Sequence, residues 1–111
     1  PIICSPIIIV LVNCKSGSGI SYLDKPSRII ITSSQADEKT YQWDDNPPYD
    51  YTHVEFLWND ENNGFVYDLT YNVPISLYSA YISGYNAAQD WPLTSHPQLY
   101  DPEGKSQKIY L

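Results

Sequence analysis

Residues 7–19 read Ile7-Ile8-Ile9-Val10-Leu11-Val12-Asn13-Cys14-Lys15-Ser16-Gly17-Ser18-Gly19. An apolar, largely β-branched run ends on Asn13 and Cys14 and gives way to small residues. The run reads as a strand over about residues 7–13, buried on both faces, and the Gly/Ser stretch as a loop. A second run of the same kind, Arg28-Ile29-Ile30-Ile31-Thr32-Ser33, follows the Pro26-Ser27 break. Two short, almost wholly apolar strands indicate a sheet covered on both faces. That usually means parallel strands and an α/β fold.

Further along, Asp37 to Trp43 is polar and reads as a helical turn, and Asn46-Pro47-Pro48-Tyr49-Asp50 as a turn-rich loop. Tyr51 to Asp60 carries apolar residues at 51, 54, 57 and 58, a helical spacing. Pro74 to Asn86 carries them at 77, 78, 81, 82 and 85, the best amphipathic helix in the chain, with Ser76 as its cap and Gly84 weakening its end. The proline-rich stretch from Asp90 to Glu103 reads as irregular and packed through Trp91, Leu93 and Leu99. Residues 108–111 read as a short last strand. At 111 residues, with no internal repeat, residues 1–111 form one domain or part of one. A chain that opens at Pro1 and contains no Met reads as a processed product or a fragment.

The net charge of −7 argues against nucleic acid and against an anionic membrane surface as partners, since both need clustered Lys and Arg. The longest apolar run is far short of the roughly twenty residues that span a bilayer. The acidic, Tyr- and Asn-rich composition leans extracellular. Cys4 and Cys14 flank the first strand. Extended chain would hold them some 20–30 Å apart, whereas a disulfide needs less than about 7 Å. Both therefore read as free thiols. No Cys-x-x-Cys pair occurs, and His53 and His96 stand alone, so no metal site or cofactor is expected. Asp44, Asp45, Asp50, Asp60, Glu61 and Asp68 read as solvated surface, because the stretch from Asp68 lacks the alternating ligands and glycine of a Ca²⁺ loop.

The chemistry concentrates at Cys14. In open α/β sheets functional groups gather at the carboxyl ends of strands. Small residues after a nucleophile admit a substrate carbonyl and leave backbone N–H groups free to hold an oxyanion. The stretch Asn13-Cys14-Lys15-Ser16-Gly17 with its apolar strand resembles the Cys-x-Ser-Gly nucleophile loop of the caspase-like cysteine peptidases, the group that includes legumains and gingipains. Arg28 to Glu38 resembles their next strand and substrate-pocket loop. Pro74-Ile75-Ser76-Leu77-Tyr78-Ser79-Ala80 resembles a helix that reads Val-Ser-Leu-x-Glu-Ala in relatives, and His96-Pro97-Gln98 a Pro-Gln motif near the domain's end. The likeness covers about residues 7–104.

The resemblance implies a three-layer caspase-like fold with a mostly parallel sheet. It implies peptide-bond hydrolysis by a Cys–His dyad on a peptide or protein substrate. Cys14 would be the nucleophile, its backbone N–H part of the oxyanion hole, and Lys15, Ser33 and Thr40 would line the substrate pocket. In that family the His precedes the nucleophile, and none of the thirteen residues before Cys14 is His. The chain thus matches the carboxyl-terminal half of such a domain. The base would come from an upstream half or a second chain, and this chain alone would be inactive. The rival reading is a non-catalytic binding or structural module of the same fold, using a surface built from its eleven Tyr and three Trp.

Overall fold

The computed structural model describes residues 7–40, 42–44, 52–59, 61–89 and 95–111, with the backbone alone for 42–44, 52 and 53. Strand β1 (Ile7–Leu11) pairs in parallel with β2 (Arg28–Thr32), from Ile7 opposite Arg28 to Leu11 opposite Thr32. The link between them is a 3₁₀ turn (Ser16–Gly19) running into the single turn of α1 (Ile20–Leu23). Strand β5 (Gln98–Tyr100) adds antiparallel on the other edge of β2, with Ile31 opposite Leu99. The chain is therefore α/β, but the sheet is mixed, in the order β1-β2-β5, rather than mostly parallel. β5 arises inside the stretch read as irregular, because its short extended run completes the open edge of the central strand.

Position in the sheet decides burial. Ile29, Ile30 and Ile31 of central β2 are at most 1% exposed. β1 does not share that burial. Ile7 is 54% exposed and Ile8 and Val10 38% each, so the expected burial on both faces fails at this edge strand. One face of β2, Ile29 and Ile31, meets Phe56, Phe65, Leu77, Ala80, Tyr81 and Ala88 in the core.

The expected helix at 74–86 is present as α3 (Leu77–Gln89). Its buried positions 77, 80, 81, 84, 87 and 88 follow the helical period. Ser76 caps it, its hydroxyl accepting the Ser79 N–H at 3.0 Å. Gly84 does not end the helix. A Cβ there would lie 2.6 Å from Phe56 Cε2, so the missing side chain is what lets helix and ring approach. The helical spacing over 51–60 misleads. Thr52–Val54 is strand β4, antiparallel to β3 (Gln42–Asp44) with Trp43 opposite His53, and a turn at 55–57 follows. That turn drives Phe56 into the core, stacked on Phe65 at a centroid distance of 5.4 Å. The β-branched Thr52 and Val54 favour extended chain, and burial of one ring replaces the apolar stripe the spacing suggested. The helical turn expected at 37–43 is a tight turn at 36–38 followed by β3.

Helix α2 (Phe65–Tyr71) has no counterpart in the sequence reading. The last residues pair with the segment leading into α3: the Leu111 N–H reaches the Ile75 carbonyl at 3.0 Å and Leu77 N–H the Ile109 carbonyl at 2.7 Å. Cys4, Trp91, Leu93 and the loop at 46–50 lie outside the described residues.

Candidate active site at the Cys14 loop

β1 ends at Leu11, whose carbonyl accepts the Ser33 N–H at 3.0 Å and extends the parallel ladder one step. The chain then turns sharply. Ser16 N–H returns to the Asn13 carbonyl at 3.1 Å, and Lys15 sits in the left-handed region at φ 60°. An L-residue there costs about 1 kcal/mol, so neighbouring contacts must hold the turn. They do so through hydroxyls. Ser16, Ser33 and Ser34 are all buried. Ser34 N–H donates to Ser16 Oγ at 3.1 Å, and Ser16 N–H approaches Ser34 Oγ at the same distance. Ser34 Oγ and Thr40 Oγ1 both donate to the Asn13 carbonyl, at 3.2 and 2.9 Å. Ser33 Oγ lies 2.6 Å from Thr40 Oγ1. Buried hydroxyls are tolerated here because each has partners, and such a network fixes one conformation.

Gly17 completes the close fit. A Cβ at this position would stand 2.5 Å from Gln98 Oε1 and 2.8 Å from the backbone of Gln35 and Ala36. Two stretches therefore converge on the loop after β1: residues 33–40 after β2, and the start of β5.

Cys14 is an exposed, free thiol at the apex of this turn. Among the described residues its Sγ has one polar neighbour, the Thr40 carbonyl at 3.9 Å, and its backbone N–H has none. Lys15 is exposed, and its N–H is held by the Glu38 carbonyl at 2.7 Å. The fold brings Cys14, Lys15, Ser33 and Thr40 together. Ser33 is turned inward as a support of the loop, with no exposed surface.

No imidazole reaches the thiol among the described residues. His96, expected to be a loop residue, is engaged elsewhere: its Nδ1 lies 2.9 Å from Glu38 Oε2, and its N–H donates to Glu38 Oε1. His53 is on β4, opposite Trp43 in the small second sheet. Sequence reasoning missed Glu38 as an organiser. Burial pushes its carboxyl up, but hydrogen bonds from the His96 ring and from the Gln35 and His96 N–H groups, with the charge of His96, hold it below the ordinary carboxylate range. In the sequence it is one of two adjacent carboxylates, Asp37 and Glu38, in a polar loop, which resemble any solvated acids. Among the described residues no cluster of His, Cys, Asp and Glu gathers to hold a metal ion, and no helix is long and apolar enough to cross a membrane.

A second surface feature lies away from this loop. Trp58 packs edge-on against Tyr67 and Tyr71 at 5.1 and 5.6 Å, and Tyr71 is 61% exposed.

No protein-family model matches the chain, and neither a curated protein nor a solved structure does.

Proposed function

We propose that this chain is the carboxyl-terminal part of a caspase-like cysteine peptidase domain, a hydrolase in which Cys14 is the nucleophile for proteolysis. The observation that carries this reading is an exposed thiol with an open backbone N–H, at the carboxyl end of a parallel strand, on a turn held by buried hydroxyls. In the proposed reaction the Cys14 sulfur attacks the scissile carbonyl carbon and its proton passes to a His from an upstream half or a second chain. The carbonyl oxygen, now negative, accepts the Cys14 N–H. The carbon–nitrogen bond breaks and the leaving amine takes the proton from the imidazolium. Water then hydrolyses the thioester, releasing the acid and restoring the thiol. Exposed Lys15 and half-buried Thr40 border the space beside the sulfur and would meet the substrate side chain.

The test is active-site labelling of the natural protein with a peptidyl acyloxymethyl ketone. Cys14 should carry the label, and Cys14→Ala should lose both label and peptidase activity. Unchanged peptidase activity in Cys14→Ala would refute the reading. The edge-on cluster of Trp58, Tyr67 and Tyr71 favours a second reading, a binding module whose aromatic face holds a partner. That module would retain all its function in Cys14→Ala and lose it in Trp58→Ala.

A further inference from the structure

Glu38 is a residue at which three separate stretches of the site meet, two through its side chain and the third through its backbone. Its Oε1 accepts the Gln35 N–H at 2.8 Å and the His96 N–H, and its Oε2 meets His96 Nδ1 at 2.9 Å. Its own carbonyl accepts the Lys15 N–H at 2.7 Å. Two residues on, Thr40 grips the same turn twice, through Oγ1 to the Asn13 carbonyl at 2.9 Å and through its carbonyl, 3.9 Å from Cys14 Sγ. Residues 35–40 thus lie along the Cys14 turn as a splint, and the Glu38 carboxylate ties that splint to the segment ahead of β5. The side chain of Glu38 is 20% exposed and that of His96 45%, so the tie is partly shielded from water. The charged neighbours are Lys15 on the facing turn and Asp37 and Lys39 flanking Glu38. All three are exposed.

We propose that Glu38 is a positioning residue for Cys14, acting through His96 and through the 35–40 backbone rather than by touching the reacting atoms. The proposal rests on the reading of Cys14 as the working thiol. A carboxylate with three donors is the strongest local anchor available to a loop without regular structure. Untied from His96, residues 35–40 keep the backbone bond to Lys15 and their hydroxyl contacts to the turn but lose their anchor on the β5 side, and the Thr40 carbonyl shields one side of the sulfur less firmly.

The experiment measures alkylation of Cys14 by iodoacetamide at neutral pH, followed by mass spectrometry, in Glu38→Ala, His96→Ala and His96→Asn. His96→Ala should alkylate faster by about three- to tenfold, the change expected from losing one hydrogen bond, and Glu38→Ala, which loses all three, by at least as much. His96→Asn, whose amide can donate to Oε2 from near the position of Nδ1, should return to within about twofold of the parent. Parental rates in folded Glu38→Ala and His96→Ala would overturn the proposal, as would His96→Asn reacting as fast as His96→Ala. If Glu38→Ala fails to fold, the two His96 variants decide. Loss of the peptidase reading, through an active Cys14→Ala, leaves this comparison intact because the thiol is probed directly.

Discussion

Replacing Gly17 by Ala tests whether the Cys14 turn is as closely clamped as its hydroxyl network indicates. The new Cβ would stand 2.8 Å from Ala36 N and from Gln35 C, where ordinary contact begins at 3.4 Å, so turn and splint must part by about 0.6 Å. Gln98 Oε1, at 2.5 Å, is the end of a flexible side chain and can swing away, but the two backbone atoms cannot. Overpacking of this kind costs about 1–3 kcal/mol. Ala returns about 0.4–1 kcal/mol by restricting the unfolded chain. The net expectation is a loss of about 1–2 kcal/mol, a fall in Tm of about 5–10 °C for a domain of this size. Gly19→Ala is the control. Its Cβ would meet only Leu11 Cδ1, at 2.7 Å, a methyl on a half-buried side chain that can change rotamer. It should cost under about 0.5 kcal/mol once the same entropic gain is counted. Thermal or urea unfolding of both variants, with iodoacetamide rates for Cys14, makes the comparison. Gly17→Ala as stable as the parent, or Gly19→Ala equally damaging, would show that residues 35 and 36 do not press on the turn.

Two further expectations concern the frame around the site. Burial raises the Asp101 carboxyl, but donors from Ser106 and Lys105 outweigh it and hold the group below the usual range. A depressed folded value stabilises the protein above the unfolded pKa, near 3.9, and the gain disappears as the pH falls through the folded value. Asp101→Asn should therefore lose about 1 kcal/mol at pH 7 and flatten the acid limb of a stability–pH curve; an unaltered limb would place the titration elsewhere. Ser76→Ala removes the hydroxyl that caps α3 and should cost about 0.5–2 kcal/mol in urea unfolding. A cost near zero would mean that the pairing of Ile75 with Leu111 alone fixes the helix start.

What could be read from the sequence is what local chemistry dictates. Three isoleucines between Arg28 and Thr32 have few alternatives to a buried strand, and β2 is one. Ser76 followed by apolar residues at helical spacing has few alternatives to a capped helix, and α3 is one. Failures occur where a distant element decides. Ile7, Ile8 and Val10 have the same chemistry as Ile29 to Ile31, yet stay partly exposed because β1 is an edge strand. Phe56 belongs to a turn rather than a helix because Phe65, nine residues later, supplies its stacking partner and its N–H closes on the Phe56 carbonyl at 2.9 Å. At the site, Cys14, Lys15, Ser33 and Thr40 were grouped through the family resemblance alone, and in the fold they are neighbours. Glu38 was not legible, because its partner His96 lies 58 positions away and nothing in either residue's neighbours announces the pairing.

The distribution of rigidity follows from these facts. β1, which leads to the thiol, is the least buried strand of its sheet, so apolar packing cannot be what holds Cys14 in place. The fixed reference is β2, and the turn is hung from its end: Ser33 holds Leu11, Ser34 holds Asn13 and Ser16, and Thr40 returns to Asn13. Hydrogen bonds are directional where apolar contact is not. A small hydroxyl-rich loop can therefore fix the backbone on either side of a thiol while the strand behind it stays half exposed. It follows that Ser16, Ser34 and Thr40 govern the placement of Cys14 more than Ile8 or Val10 do, so truncating a hydroxyl should disturb the thiol at little cost in core packing, and truncating a β1 side chain should do neither.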